Sequence, residues 1–194
     1  MFLRNRPVGR SALALLVLTA AMACVTVRPA VGFKPQSSTA APSGPTMANA
    51  PGVIAATRFI SNRYRVPPAR ARQIARVAFR VSREHRLDPY LVLAVIAVES
   101  SFRPGVVNHY GGAYGLMQIA VRVHERRVAA VGGRRRLFRV APNIRIGVAL
   151  LAQYGARVRS QVRHALWRYS GGEYGYARKV LRLSAALRRR AEHL

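Results

Sequence analysis

Six side chains in this sequence can supply a carboxylate: Glu84, Asp88, Glu99, Glu125, Glu173 and Glu192. Glu99 stands apart from the others. It closes the most apolar run of the chain, Tyr90 to Val98, with Val95 and Ile96 one turn before it on the same helical face. Burial there disfavours the charged form and raises the pKa. The dipole at a helix C-terminus acts in the same direction. A carboxylic acid that stays protonated near neutral pH is what glycosidic bond cleavage requires. The alternative is a structural glutamate paired with one of the many arginines. Asp88 precedes Pro89 and suits a helix cap. Glu84 and Glu192 read as surface residues. Glu125 follows Gln118 by seven positions and could share its helical face, or could pair with Arg122 or Arg126. Glu173 lies in a short connection between two helical segments. The histidines offer less. His124-Glu125 opens like a zinc-protease motif, but position 128, where the second histidine belongs, is Val. Cys24 is the single cysteine. No metal site and no cofactor are expected.

These residues must be positioned by helices. Ala69 to Arg86 carries Ile74, Val77, Ala78 and Val81 at helical spacing, with Arg72, Arg76, Arg80 and Arg83 opposite. The run from Tyr90 is apolar on all faces and reads as a central helix ending near Ser101. Residues 105–115, with four glycines, read as a loop. Leu116 to Val131 is predicted helical, closed by Gly132-Gly133. Asn143 to Val158, Gln161 to Tyr169 and Glu173 to Arg190 are three further predicted helices. Asn143, after Pro142, suits a helix cap. Gly147 permits close helix approach. No run pairs convincingly as a β-hairpin, and no internal repeat is visible. The expected class is all-α, in one domain over residues 58–190.

Two motifs within this helical region resemble those of a known family. Ala97-Val98-Glu99-Ser100-Ser101-Phe102, followed by Gly115-Leu116-Met117-Gln118-Ile119, is similar to the signature of the lytic transglycosylases, the lysozyme-like soluble lytic transglycosylase (SLT) domain. Leu87 to Ala94 is similar to the family's lead-in to the glutamate. Asn143-Ile144 with Gly147 resembles its third motif. Ala165 to Gly172 resembles its Tyr-Asn-Gly region, and Tyr176 with Lys179-Val180-Leu181 its closing segment. The resemblance runs from Val66 to Leu183. It implies a lysozyme-like fold and a peptidoglycan substrate, cut between N-acetylmuramic acid and N-acetylglucosamine with formation of a 1,6-anhydro sugar. Glu99 would be the acid and then the base. Ser100 would help to position it, and the Tyr176 hydroxyl would hold it. Gly115 would let the chain pass close to substrate. Met117, Gln118, Tyr169 and Ser170 would line the cleft, and Tyr114 could stack on a sugar. The sequence departs from the pattern at Ala120-Val121-Arg122, where Met-Pro and Thr are usual, at Ser170 in place of Asn, and in the short connection from Ser170 to Tyr176. A hydrolysing muramidase on the same fold, and a non-catalytic wall-binding or secretion-assembly protein, are the alternatives.

The front of the chain reads as an address. Arg4, Arg6 and Arg10 precede an apolar run beginning at Ala12, the pattern of an export signal over residues 1–23. Ala21-Met22-Ala23 fits peptidase cleavage, and Cys24 then offers a lipoprotein reading; an uncleaved anchor is the third. Residues 24–57, rich in Pro, Ser and Ala, read as a linker. The implied location is the periplasm or cell envelope. Lys and Arg total 33 against 6 acids, a net charge of +27. Removal of residues 1–23 takes away three arginines and no acid, so the basicity is not a targeting artefact. An anionic partner or envelope surface is expected. Nucleic acid is not, since no reader motif is present and an exported protein lacks access to it. The chain is expected to act as a monomer.

Overall fold

The computed structural model describes residues 50–192. The export signal, Cys24 and the linker up to residue 49 lie outside the described residues. Seven helices follow in order: α1 (Pro51–Tyr64), α2 (Pro68–Glu84), α3 (Pro89–Ser100), α4 (Glu125–Ala130), α5 (Val140–Gln153), α6 (Val162–Tyr169) and α7 (Tyr176–Glu192). The all-α expectation holds, with one small addition. Strands β1 (Val107–Asn108), β2 (Ala113–Tyr114) and β3 (Ile119–Ala120) form an antiparallel sheet in the order β1-β2-β3. Each strand has two residues, too few for a period-2 pattern to register in sequence.

Helix α3 is the centre of the molecule. Leu91 to Ala97 are all buried, which explains a sequence apolar on every face. Asp88 caps it as expected, its Oδ1 accepting from the Tyr90 N–H at 3.0 Å. Helices α2 and α7 pack against it. Helix α2 presents Ile74, Ala75, Ala78 and Val81 inward and leaves Arg72, Arg76 and Arg80 exposed.

Three boundaries differ from the sequence expectation. The linker assigned through residue 57 is helical from Pro51. Its small residues mimic linker composition, but they serve packing: Val53, Ala56 and Ile60 are buried, and a Cβ on Gly52 would press on the Phe79 ring at 2.8 Å and the Tyr90 hydroxyl at 2.9 Å. The helix predicted over 116–131 is confined to Glu125–Ala130. Gly115 and Gln118 take left-handed φ values of 80° and 47°, which break any helix across them. Leu116, Met117 and Ile119 owe their apolar character to a buried loop rather than to a helical face. The relation expected between Glu125 and Gln118 therefore does not exist. Glu125 sits in the first turn of α4, where the helix dipole favours an acid. Among the described residues Glu125 forms no ion pair with Arg122 or Arg126, whereas Arg80–Glu84 and Arg188–Asp88 are paired. Finally, α5 begins at Val140, which puts Asn143 inside the helix and not at its cap.

Candidate active site

Glu99 lies in the last turn of α3, and the chain turns sharply after it. Ser101 and Phe102 both adopt left-handed φ, 51° and 61°. The Ser101 N–H closes the helix onto the Ala97 carbonyl at 3.1 Å. A buried aromatic residue with positive φ is strained. Phe102 is held there by its burial and by edge contact with the Tyr64 ring, centroids 4.8 Å apart.

The carboxyl group is mostly buried, and burial pushes its pKa above the ordinary glutamate value. The Glu173 carboxylate adds to that rise, while the Tyr176 hydroxyl and the Lys179 ammonium oppose it. The Tyr176 hydroxyl donates to Glu99 Oε1 at 2.5 Å. Burial first, and then the Glu99 charge, drive the Tyr176 pKa far above the tyrosine range, so this phenol remains a donor. With Oε1 engaged as an acceptor, the acidic proton of Glu99 belongs on Oε2.

The other predicted residues form a scaffold around this pair. Ser100 is buried, and its hydroxyl lies 2.8 Å from the Leu116 carbonyl and 3.1 Å from the Ile96 carbonyl. It thereby joins the end of α3 to the 115–118 loop. The Met117 side chain is fully buried, against the expectation of a cleft-wall residue. It fills the space over Gly147 on α5, where a Cβ would collide with its sulfur. At Gly115 the close approach is to protein: a Cβ there would collide with the Leu137 carbonyl and the Asn143 amide. Gln118 is half-buried and donates through Nε2 to the carbonyls of Gly115, at 2.9 Å, and Val106, at 3.2 Å. Tyr169 donates to the Met117 carbonyl at 2.8 Å, and its own pKa is raised by burial and then by the Glu99 charge, which puts it in the field of the acid. The Ser170 hydroxyl closes the 167–173 turn, donating to the Trp167 carbonyl at 3.0 Å and accepting from the Glu173 N–H at 3.1 Å. The Tyr114 ring packs edge-on against Phe138, with the Arg134 guanidinium 5.6 Å from its centroid.

The organising residue was missed in sequence. Asn143 is fully buried on α5. Its Oδ1 accepts from the Met117 N–H at 2.8 Å, and its Nδ2 donates to the Tyr114 and Leu137 carbonyls at 2.8 and 2.9 Å. One side chain thus binds three backbone groups and ties β2, the 115–118 loop and the segment before α5 together. Only its place after Pro142 was visible as a signal, and that signal suggested a cap. Among the described residues no three His, Cys, Asp or Glu side chains come together as a metal-ligand set.

A buried carboxyl group with a raised pKa and one oxygen held by a buried phenol has the chemistry to give up a proton and take one back. The model of the transglycosylase SLT domain matches residues 59–189 of this chain. The chain belongs to that family. The SLT match includes Glu99, Tyr176, Asn143 and the whole 115–118 loop. Three proteins named membrane-bound lytic murein transglycosylase C are also similar to this SLT chain. They come from Actinobacillus pleuropneumoniae serotype 5b (strain L20), serotype 3 (strain JL03) and serotype 7 (strain AP76). Each is 34% identical over 89 residues, covering 43% of this chain and 24% of the relative. The aligned part of the chain thus spans about a quarter of the length of these relatives, at 24%. No solved structure matches the chain. No helix among the described residues is long and apolar enough to cross a membrane.

Proposed function

We propose that this chain is a peptidoglycan lytic transglycosylase that cleaves the β-1,4 bond between N-acetylmuramic acid and N-acetylglucosamine. The observation that carries the reading is the Glu99–Tyr176 pair within the span matched by the SLT family. Glu99 Oε2 gives its proton to the bridging oxygen, and the bond from that oxygen to C1 of the muramic residue breaks. The N-acetylglucosamine 4-hydroxyl leaves, and positive charge develops at C1. The Glu99 carboxylate, still bonded to Tyr176, then takes the proton of the muramic 6-hydroxyl as its oxygen closes onto C1. Glu99 ends protonated, water is not consumed, and the product carries a 1,6-anhydro end. Gln118 has its amide nitrogen engaged by the loop, which leaves Oε1 to accept from a sugar hydroxyl or acetamido N–H. Tyr169 and Asn143 hold the Met117 backbone beside the acid, Ser100 anchors the end of its helix, and Tyr114 with Ser170 edges the cleft. The molecule acts as a monomer in the envelope, reached through an export segment that is cleaved, lipidated at Cys24 or kept as an anchor.

Glu173 is the observation that favours a second reading. Its carboxylate field reaches Glu99, and hydrolysing glycosidases use a second carboxylate. Digestion of purified sacculi with mass analysis of the ends decides between the two. Anhydro ends are expected; reducing ends would make the protein a muramidase. Glu99→Gln should lower the rate by about 10²–10⁴-fold, the usual worth of a general acid, with the fold intact by circular dichroism. An unchanged rate would remove Glu99 from the chemistry, and release of no muropeptide by the parent protein would favour a non-catalytic wall-binding role.

A further inference from the structure

Helices α3 and α7 run antiparallel and are joined at both ends. Tyr176 meets Glu99 at one end, and Arg188 meets Asp88 at the other. The second junction lies about 16 Å from the first, at 1.5 Å per residue along α3. It opens onto a cavity of about 820 Å³ formed by the ends of α3 and α7, the chain following α5, and the start of α6.

Five arginines line this cavity: Arg86, Arg157, Arg159, Arg163 and Arg188. Asp88 is the one acid among its lining residues, and both its oxygens are engaged, Oδ1 by the Tyr90 N–H and Oδ2 by Arg188. The other four guanidinium groups are in none of the ion pairs of the described residues. Below them Leu91 is buried, and Val162 and Leu181 are half-buried. Like charges gathered without counter-charge repel one another, and an anion entering between them relieves that repulsion. Guanidinium forks match phosphate oxygens two at a time. Four unpaired cations around one concavity call for several negative charges in a small volume. An apolar floor accepts the organic part of an ester.

We propose that this cavity is a second binding site, for a phosphate-bearing ligand, and that it prefers diphosphate to single phosphate. The site is separate from Glu99, so Glu99→Gln should bind diphosphate as the parent protein does.

The test is calorimetric titration of the full chain at fixed ionic strength with inorganic pyrophosphate, inorganic phosphate and citrate. Pyrophosphate should bind most tightly. The pair Arg159→Gln and Arg163→Gln should weaken it about tenfold or more, as expected for two lost charge-assisted contacts. A control pair of equal charge change, Arg58→Gln and Arg145→Gln, both exposed and outside the cavity, should leave it within about twofold. Ala185→Glu, which puts a carboxylate among the lining residues, should also weaken it and provides a second route if the arginine pair folds poorly. Equal losses in the cavity and control pairs would reduce the effect to net charge and overturn the proposal. Citrate binding as tightly as pyrophosphate, or no pyrophosphate binding, would overturn it too. Vesicles of phosphatidylglycerol and phosphatidylcholine then identify the source. If the cavity pair loses the preference for phosphatidylglycerol, the ligand is a lipid headgroup; if it keeps the preference, the ligand is a soluble phosphate ester.

Discussion

At Glu99, burial and hydrogen bonding pull the carboxyl group in opposite directions. Burial dominates and raises the pKa, while Tyr176 restrains the rise by donating to the charged form. Tyr176→Phe removes that restraint, so the pKa of Glu99 should climb further. In the proposed reaction the acid acts when protonated, so the alkaline limb of kcat/KM against pH should move to higher pH. A limb that stays in place would show that Tyr176 does not tune the acid. The same raised pKa has a consequence for stability. Because the folded value exceeds the ordinary 4.5, the stabilising contribution of Glu99 is full below that value. It is lost as pH rises through the folded pKa. Glu99→Gln should thus melt higher than the parent protein at neutral and alkaline pH, with the gap closing as the pH falls towards 4.5. Parallel thermal melts from acid to alkaline pH measure it. Glu99 was legible in the sequence because a carboxylate is out of place in an apolar helix. Tyr176 was legible only through family resemblance, since nothing local to it distinguishes a phenol that holds an acid from one that fills a core.

Among the elements, α5 bears most directly on the site. It organises the 115–118 loop through Asn143 and makes room for Met117 at Gly147. Asn143→Ala would remove the acceptor of the Met117 N–H and the side-chain donor to the Tyr114 and Leu137 carbonyls. The cost should be roughly 3 kcal/mol or more, since each buried unpaired group costs about 1–3 kcal/mol. Urea unfolding should show a lowered midpoint with an unchanged slope. The helices with long apolar faces were legible, because burial imposes a 3.6-residue period on α2, α5 and α7. Helix α1 was hidden by its small residues. The 105–124 region was hidden for another reason. Its backbone is satisfied by side chains far away in sequence, Ser100 and Asn143 above all, and such pairing has no local pattern. That same remoteness explains why Met117 and Gly115 looked like substrate contacts: their constraint comes from α5, and a motif records a constraint without its cause.

For the molecule as a whole, charge is the property that acts at longest range. A net +27 on 194 residues favours adhesion to an anionic wall or lipid surface. Sacculus binding should fall as salt rises, since screening shortens to about 8 Å at physiological ionic strength and about 3 Å at 1 M. Co-sedimentation across a salt series measures it, and salt-independent binding would shift the credit to glycan contacts alone. The pairing of α3 with α7 also has a temporal side. The hydroxyl that holds Glu99 is supplied 77 residues later in the chain, and the arginine that holds Asp88 arrives 100 residues after it. During synthesis the acid emerges early and its partner emerges with the last described helix. A partly made chain therefore carries the glutamate without its phenol, and the Glu99–Tyr176 pair is complete only when nearly the whole domain has been delivered.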